Sequence, residues 1–179
     1  MVKITKPENF KRVAKFKKVS YAQFKADWID TFGETDESVL EEKYEKIKLP
    51  CRATTGSAGY DFFNTVECEL KPGETVKIPT GICVDMKENW VLKLYPRSGL
   101  GFKYRLQLNN TVGIIDSDYF YSDNEGHIFA KITNDSNEGK TITFNESMGF
   151  MQGIFVEYGI TEDDEATGIR NGGFGSTSK

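Results

Sequence analysis

Histidine and cysteine, the side chains that most often hold a structural metal, are scarce in this sequence. His127 is the only histidine, and the three cysteines, Cys51, Cys68 and Cys83, lie far apart without a C-x-x-C pair. Because a zinc site needs four such ligands at close spacing, no structural metal is expected. An odd number of cysteines without a signal peptide fits a protein of the reducing cytoplasm.

Long apolar runs and an excess of positive charge are also missing. No apolar segment approaches the roughly 20 residues that cross a membrane, so no membrane partner is expected. The 23 lysines and arginines are outnumbered by 27 aspartates and glutamates, which gives a net charge of −4. Since non-specific binding of nucleic acid depends on a basic surface, no nucleic-acid partner is expected either, and any bound phosphate belongs to a small molecule.

The 179 residues suffice for one domain with additional segments, of which the first is an N-terminal extension, residues 1–45. The alternation in RVAKFKKV predicts a half-exposed strand. In SYAQFKADWIDTFG, Ser20 and Gln23 have capping-box spacing and Gly33 supplies a stop, which predicts an amphipathic helix. Thr35 is the predicted cap of a second, weaker helix over DESVLEEKYEKI. The extension is therefore predicted to form a strand and one or two helices.

Residues 46–158 have the pattern of an all-β core. Turn signals such as KPGE and NDSNEGK separate short β-branched and aromatic runs, among them TVECEL, TVKIPTGICVDM, WVLKLYP, HIFAKITN, KTITFN and GIFVEYG. Many short strands at this spacing predict a barrel or jelly roll rather than a βαβ fold. Residues 159–179 are acidic and then glycine-rich with almost nothing to bury, and are predicted to form a flexible C-terminal arm.

The end of this arm, RNGGFGSTSK, has the composition of a phosphate-binding loop. Glycines let the backbone approach an anion closely, while Arg170, Ser176 and Thr177 add donors. It is not a Walker loop, because Phe174 stands where the lysine is needed and no helical pattern follows. The sequence therefore predicts a phosphate-binding segment on a loose arm.

Four further segments of the core are polar where strands would pack: AGYDF at 58–62, PRSGL at 96–100, GIIDSDY at 113–119 and the stretch containing Gln152. Together with RNGGFGST at 170–177, and in this order, they resemble the five ordered motifs of the trimeric dUTP pyrophosphatases, the dUTPases. The resemblance covers about residues 47–179. It implies a distorted jelly-roll core of the β-clip type and a cytoplasmic enzyme of a bacterial cell or a phage-infected host.

The resemblance also implies a homotrimer that hydrolyses dUTP to dUMP and pyrophosphate. Three subunits share three active sites, and each arm closes over a site built largely from other subunits. Asp116 is implied as the base that activates a water for attack on the α-phosphorus. Ser98 and the Gly99 backbone would hold the phosphates, while Arg97 would pair with Asp61 to organise the motifs. Magnesium (Mg2+) is the implied cofactor, held by the substrate phosphates and waters without a direct protein ligand.

Substrate selectivity is implied to come from the third motif and the arm. Asn110 and main-chain groups would read the uracil edge, Tyr119 would exclude a 2′-hydroxyl, and Phe174 would stack on the base. The full set of predicted substrate-binding residues is Ser98, Gly99, Asn110, Gly113, Ile115, Tyr119, Gln152, Arg170, Phe174, Gly175, Ser176 and Thr177.

The match to the family pattern departs at three places. FYSDNE, residues 120–125, is longer than the usual one or two residues after the third motif. Gly149 stands where the fourth motif usually has an arginine three residues before its glutamine. Arg170 lies one residue closer to the glycine pair of the fifth motif than in many relatives.

Two other functions compete with dUTP hydrolysis. The dCTP deaminases share the fold, but they need a catalytic glutamate where this chain has Lys131, which cannot perform a carboxylate's proton transfers. A regulatory binding protein on the same scaffold, nucleotide-gated or not, would engage a protein partner through residues 1–45.

Overall fold

Antiparallel strands make up most of the regular structure in the computed structural model, which describes residues 10–172. The strands are β1 (Ala14–Lys18), β2 (Tyr60–Phe63), β3 (Cys68–Leu70), β4 (Thr75–Pro79), β5 (Ile82–Met86), β6 (Trp90–Pro96), β7 (Leu106–Leu108), β8 (Gly113–Ile115), β9 (Phe129–Asn134), β10 (Ile142–Phe144) and β11 (Gly149–Glu157). The helices are α1 (Tyr21–Phe32), α2 (Glu37–Lys46), α3 (Ser98–Tyr104) and a 3-10 helix (Ser117–Tyr121). The prediction of a mostly β core after two helices is confirmed.

The strands form small antiparallel sheets that share one interior. One sheet has four strands in the order β2-β11-β6-β8, a second has three in the order β4-β9-β7, and two pairs join β1 with β5 and β3 with β10. The extension thus adds its strand to the core, because β1 belongs to the extension and β5 to the core. β6 lies in the interior of the largest sheet, and predicted site residues lie near both of its ends.

One apolar cluster contains side chains from the extension and from the core. Phe24 of α1 and Leu40 of α2 are fully buried together with core residues such as Phe62 and Leu92. Burial of side chains this large contributes about 1.5–3 kcal/mol each, which is enough to hold the extension on the core.

The local signals at the first helix are confirmed. The Ser20 side chain accepts a hydrogen bond from the Gln23 backbone N–H at 3.1 Å, and Gly33 ends the helix in the left-handed region with φ 71°. The prediction for the second helix was wrong by one residue: Asp36, not Thr35, is the cap, and it accepts from the backbone N–H groups of Ser38 at 2.9 Å and Val39 at 3.3 Å. An aspartate adds negative charge at the positive end of a helix, which a threonine does not.

Asp36→Ala is expected to lower the melting temperature by about 2–4 °C, whereas Thr35→Ala leaves it nearly unchanged. Hydrogen bonds from the Ser38 hydroxyl and from the Val39 and Ser38 N–H groups lower the pKa of Asp36. The stabilisation is therefore present above the ordinary aspartate pKa and is lost as the pH falls through the lowered value. Thermal melts at neutral and acidic pH check this, since the gap between wild type and Asp36→Ala narrows in acid. A larger effect from Thr35→Ala would contradict the assignment.

Four short elements of the structure have no signal in the sequence pattern. α3 begins inside the PRSGL segment, although Gly99 and Gly101 are poor helix formers. The 3-10 helix follows Asp116 directly, and β7 and β8 have three residues each. Runs this short are set by tertiary contacts rather than by periodicity.

Candidate active site

The first, second and fourth motifs meet at one end of β6. In the register of the sheet, Gln152 of β11 lies opposite Asp61 of β2 on one side and opposite Tyr95 of β6 on the other. Arg97 follows β6 directly, and its Nε lies 3.3 Å from Asp61 Oδ1. Pairing of three neighbouring strands therefore brings an arginine, a carboxylate and a glutamine to the same end of the sheet.

Ser98 and Gly99 open the short helix at this end of β6. Both are exposed, whereas Leu100, two positions after Ser98, is buried and anchors the helix to the core. The first amide groups of a helix have no partner within the helix. The exposed residues Ser98 and Gly99 thus supply a hydroxyl and helix N-terminal N–H groups at the surface, directly after Arg97 in the chain.

Gly149, which stands where an arginine is usual in the fourth motif, lies directly against the Arg97 side chain. Arg97 donates from a terminal nitrogen, Nη1, to the Gly149 carbonyl at 3.3 Å. A Cβ on Gly149 would lie only 2.6 Å from the same nitrogen. The Arg97 side chain thus occupies the space that a side chain at position 149 would need.

Gly149→Ala is expected to push Arg97 away from Asp61 and, if the implied dUTP hydrolysis holds, to lower kcat/KM by roughly threefold to tenfold, because misplaced groups lose catalytic contacts. The melting temperature changes little, since the end of a flexible side chain yields. Gly159→Ala is the matched control, because nothing lies within 4 Å of a Cβ at that position. Steady-state kinetics of the two variants make the comparison, and equal rates would show that Arg97 tolerates the methyl group.

The third motif lies at the other end of β6. β8 pairs with β6 so that Gly113 faces Leu94 and Ile115 faces Leu92. Asp116 comes next, half-exposed, at the start of the 3-10 helix. A cavity of about 760 Å³ opens here, and its lining includes Asn110, Gly113, Ile115, Asp116 and Tyr119 together with apolar side chains of β6, β7, β9 and β11. With Arg170, which also lines this cavity, six of the predicted site residues therefore share it.

Tyr119 forms a fixed part of this cavity. It is buried, its hydroxyl donates to the His127 carbonyl at 2.8 Å, and the same hydroxyl accepts from Asn124 Nδ2 at 2.9 Å. Burial raises the pKa of the Tyr119 hydroxyl. Because both hydrogen bonds hold the hydroxyl end, the ring has little freedom to move out of the cavity wall.

Arg170 of the arm lies on the third motif of its own subunit. Its guanidinium contacts Asp116 Oδ2 at 2.5 Å and Asp118 Oδ1 at 2.8 Å. The sequence did not indicate this pairing, because the partners are more than 50 residues apart and the fifth-motif pattern concerns phosphate. Phe174, Gly175, Ser176 and Thr177 lie outside the described residues.

The two groups of residues lie near opposite ends of β6 in this chain. Ile115 faces Leu92 near the start of β6, whereas Ser98 follows its end. Six residues of extended chain separate these points, which is roughly 20 Å at about 3.3 Å per residue. Asp116 and Ser98 are therefore well separated within this chain.

The described residues contain neither a metal-binding cluster nor a membrane-spanning helix. In residues 10–172, no three histidine, cysteine, aspartate or glutamate side chains converge to form a metal site. No helix in this range is long and apolar enough to cross a membrane.

Residues 45–178 match the family model described as dUTPase. The chain is 40% identical over 144 residues to the deoxyuridine 5'-triphosphate nucleotidohydrolase of Lactococcus lactis subsp. lactis (strain IL1403), covering 79% of this chain and 95% of that protein. It is 34% identical over 151 residues to the enzyme of the same name from Shigella flexneri serotype 5b (strain 8401), covering 80% and 97%. In these comparisons the similarity spans nearly the whole of each relative.

Solved structures show the same likeness. The crystal structure of dUTPase from Streptococcus mutans superposes with a TM-score of 0.60 and 31% identity, covering 82% of this chain and 98% of that chain. A mutant dUTPase from phage phi11 of S. aureus has a TM-score of 0.57 and 25% identity, covering 68% and 91%, and that structure is described as revealing the coordination of a structural Mg(II) ion. The predicted jelly-roll-like β fold is thereby confirmed.

Proposed function

The chain belongs to the dUTPase family, and from this membership we propose that it is a dUTP diphosphatase that hydrolyses dUTP to dUMP and pyrophosphate as a homotrimer. The single observation that supports the shared site best is the separation of Asp116 and Ser98 along β6. A symmetric ring of subunits can place one end of β6 beside the other end of a neighbour. Such an enzyme limits uracil incorporation into DNA and supplies dUMP, and we expect it in the cytoplasm.

In the proposed reaction, Asp116 accepts a proton from a water as the water oxygen attacks the α-phosphorus in line. The bond from the α-phosphorus to the oxygen bridging to the β-phosphorus breaks, and that oxygen leaves with pyrophosphate. Ser98 and the Gly99 backbone of a neighbouring subunit donate to the α/β region, where negative charge develops. The Arg97–Asp61 pair keeps these donors in place.

The cavity at the third motif is the proposed nucleoside site. Its lining includes the exposed Asn110, the buried Gly113 and the half-buried Ile115. Hydrogen bonds to the uracil edge discriminate strongly, because a wrong base leaves buried donors or acceptors unpaired. Gln152 would add a contact on the phosphate side.

Magnesium fits this proposal as an ion that arrives with the nucleotide. It prefers oxygen ligands and keeps several waters, which a triphosphate allows. Since no acidic cluster of the described residues could hold it, the phosphate oxygens would be its ligands. When bound, it neutralises charge on the phosphates.

The direct test is pyrophosphate release from dUTP, dCTP, dTTP and UTP, with and without magnesium. Rapid release from dUTP alone, stimulated by magnesium, is the expected result. Equal rates with dCTP, or release of ammonia from dCTP, would contradict the proposal in favour of a different nucleotide chemistry.

Tyr119→Ala is expected to admit UTP more than dCTP, because it opens the wall beside the sugar without touching the groups that read the base. The ratio of kcat/KM values for UTP, dCTP and dUTP measures this. Equal gains for UTP and dCTP would show that Tyr119 does not form the sugar wall.

A further inference from the structure

The two additions to the family pattern, the N-terminal extension and the longer loop after Tyr119, contact each other. Lys17 of β1 places its Nζ 4.6 Å from the ring centroid of Phe120. The Ser20 backbone N–H and hydroxyl both donate to the Glu125 carboxylate, each at 2.6 Å. The extension therefore touches both ends of the segment FYSDNE.

A buried contact lies beneath these surface contacts. His127 is fully buried, and its Nδ1 lies 2.5 Å from Asp27 Oδ2 of α1. Its Nε2 accepts from the Gly81 backbone N–H at 2.8 Å, so the ring proton is on Nδ1 and is donated to Asp27. Both ring nitrogens are engaged, and the imidazole cannot turn without breaking a buried hydrogen bond.

Asp27 is itself held in place for this role. Gln23, one turn earlier in α1, donates to the same Oδ2 at 2.8 Å. Burial raises the pKa of Asp27, but the hydrogen bonds from His127 and Gln23 together lower it below its usual value. Asp27 is therefore an ionised acceptor fixed on a rigid helix.

The backbone of His127 leads directly to the cavity wall. Its carbonyl accepts the hydrogen bond from the Tyr119 hydroxyl at 2.8 Å. Gly126 brings the loop back with φ 66°, and a Cβ there would lie 2.7 Å from Phe120 Cα and 2.8 Å from the Tyr119 carbonyl oxygen. Since the loop closes on itself so tightly, the His127 peptide cannot shift without moving Tyr119.

We propose that the extension positions the sugar wall, with Asp27 as a positioning residue that acts on Tyr119 through His127. This inference rests on the proposed function, in which Tyr119 excludes a 2′-hydroxyl. The path runs from Asp27 to the His127 ring, from the His127 carbonyl to the Tyr119 hydroxyl, and from the Tyr119 ring to the nucleoside cavity. The face of the extension that packs on the core thus supports the nucleoside cavity of the same chain.

The test compares Asp27→Ala with Asp27→Asn in the full-length protein. Alanine removes the acceptor, so the ratio of kcat/KM for dUTP to that for UTP is expected to fall roughly tenfold as the wall loosens. Asparagine keeps an acceptor oxygen for His127 and is expected to retain most of the discrimination. Rescue by asparagine separates a positioning hydrogen bond from a general loss of stability.

Glu146→Gln provides the matched control. Glu146 ties α2 to the core through Lys43 at 3.0 Å and Lys46 at 3.1 Å, away from Tyr119. The ratio for this variant is expected to equal that of the wild type, even where the melting temperature falls. Ser20→Ala removes the hydroxyl contact to Glu125 together with the side-chain cap of α1. It is a second probe with a smaller expected shift and serves if Asp27→Ala does not fold.

An unchanged ratio in both Asp27→Ala and Ser20→Ala, or an equal loss in Glu146→Gln, would overturn the inference. A wild-type enzyme that hydrolyses UTP as well as dUTP would instead overturn the proposed function, since no sugar wall would then exist. The two failures are distinguished by the wild-type measurement alone.

Discussion

Asp116→Asn is expected to lower the turnover number for dUTP by about a hundredfold or more while dUTP still binds, as follows from removing a general base. Asparagine keeps the size and the acceptor oxygen but cannot take a proton from water. Single-turnover kinetics measure the chemical step, and calorimetric titration measures binding. Normal turnover by this variant would show that Asp116 serves only as a partner of Arg170.

Asp118→Asn is the matched control for this variant. Both aspartates contact Arg170, so each substitution removes part of the same ion pair with the arm. Only Asp116 lines the 760 Å³ cavity. Asp118→Asn is therefore expected to keep most of the turnover, and a loss as large as that of Asp116→Asn would point to the arm contact instead of the base.

The Asp116→Asn variant also tests whether the site is shared between subunits. Ser98→Ala is also expected to be nearly inactive, because it removes a donor to the phosphates. The two inactive variants are mixed in equal amounts and allowed to exchange subunits. If each site takes Asp116 from one subunit and Ser98 from another, random assortment leaves about a quarter of the sites with both residues intact, so about a quarter of the wild-type activity returns. Each intact site takes Asp116 from a Ser98→Ala subunit and Ser98 from an Asp116→Asn subunit. No recovery after subunit exchange would place both residues in one chain.

The sequence predicted what depends on neighbours in the chain. Ser20 and Gly33 mark the ends of α1 because capping is decided within a few residues. The motifs containing Arg97 and Asp116 were recognisable because their residue types and spacing are specific. Thr35 was assigned as a cap because threonine and aspartate are both good caps, and only the structure shows which one accepts the hydrogen bonds.

The contacts that assemble the site depend on pairing over long distances and leave no local pattern. Asp27 and His127 are 100 residues apart in the chain, and Asp116 and Arg170 are 54 apart. The position of Arg97 over Gly149 follows from the register of β6 and β11. No periodicity encodes such pairings, which is why the extension could be recognised as an addition to the family pattern but not as a support of Tyr119.

Deleting residues 168–179 is expected to leave folding nearly intact and to abolish most of the turnover. The described part of this segment buries little apolar surface, since Ile169 is 89% exposed. The ion pairs of the partly buried Arg170 are lost as well, so the melting temperature is expected to change by only a few degrees. Under the proposed function, turnover falls by about a hundredfold or more, because the deletion removes the residues proposed to cover the base and to exclude water from the triphosphate. Thermal melts and dUTP kinetics on the same preparations check both halves of this prediction.

Arg170 of the arm pairs with aspartates of the third motif, and under the proposed function it also contacts the phosphates of a bound nucleotide. Its guanidinium pairs with Asp116 and Asp118, and a bound triphosphate offers it stronger anionic partners. Fixing each arm residue costs about 1–2 kcal/mol, which contacts with the nucleotide would have to offset. A non-hydrolysable dUTP analogue with magnesium is therefore expected to protect the peptide bond after Arg170 from trypsin. Cleavage is followed by the release of residues 171–179, which the analogue is expected to slow. Equal cleavage with and without the analogue, or a truncated enzyme at full rate, would show that the arm does not close over the site.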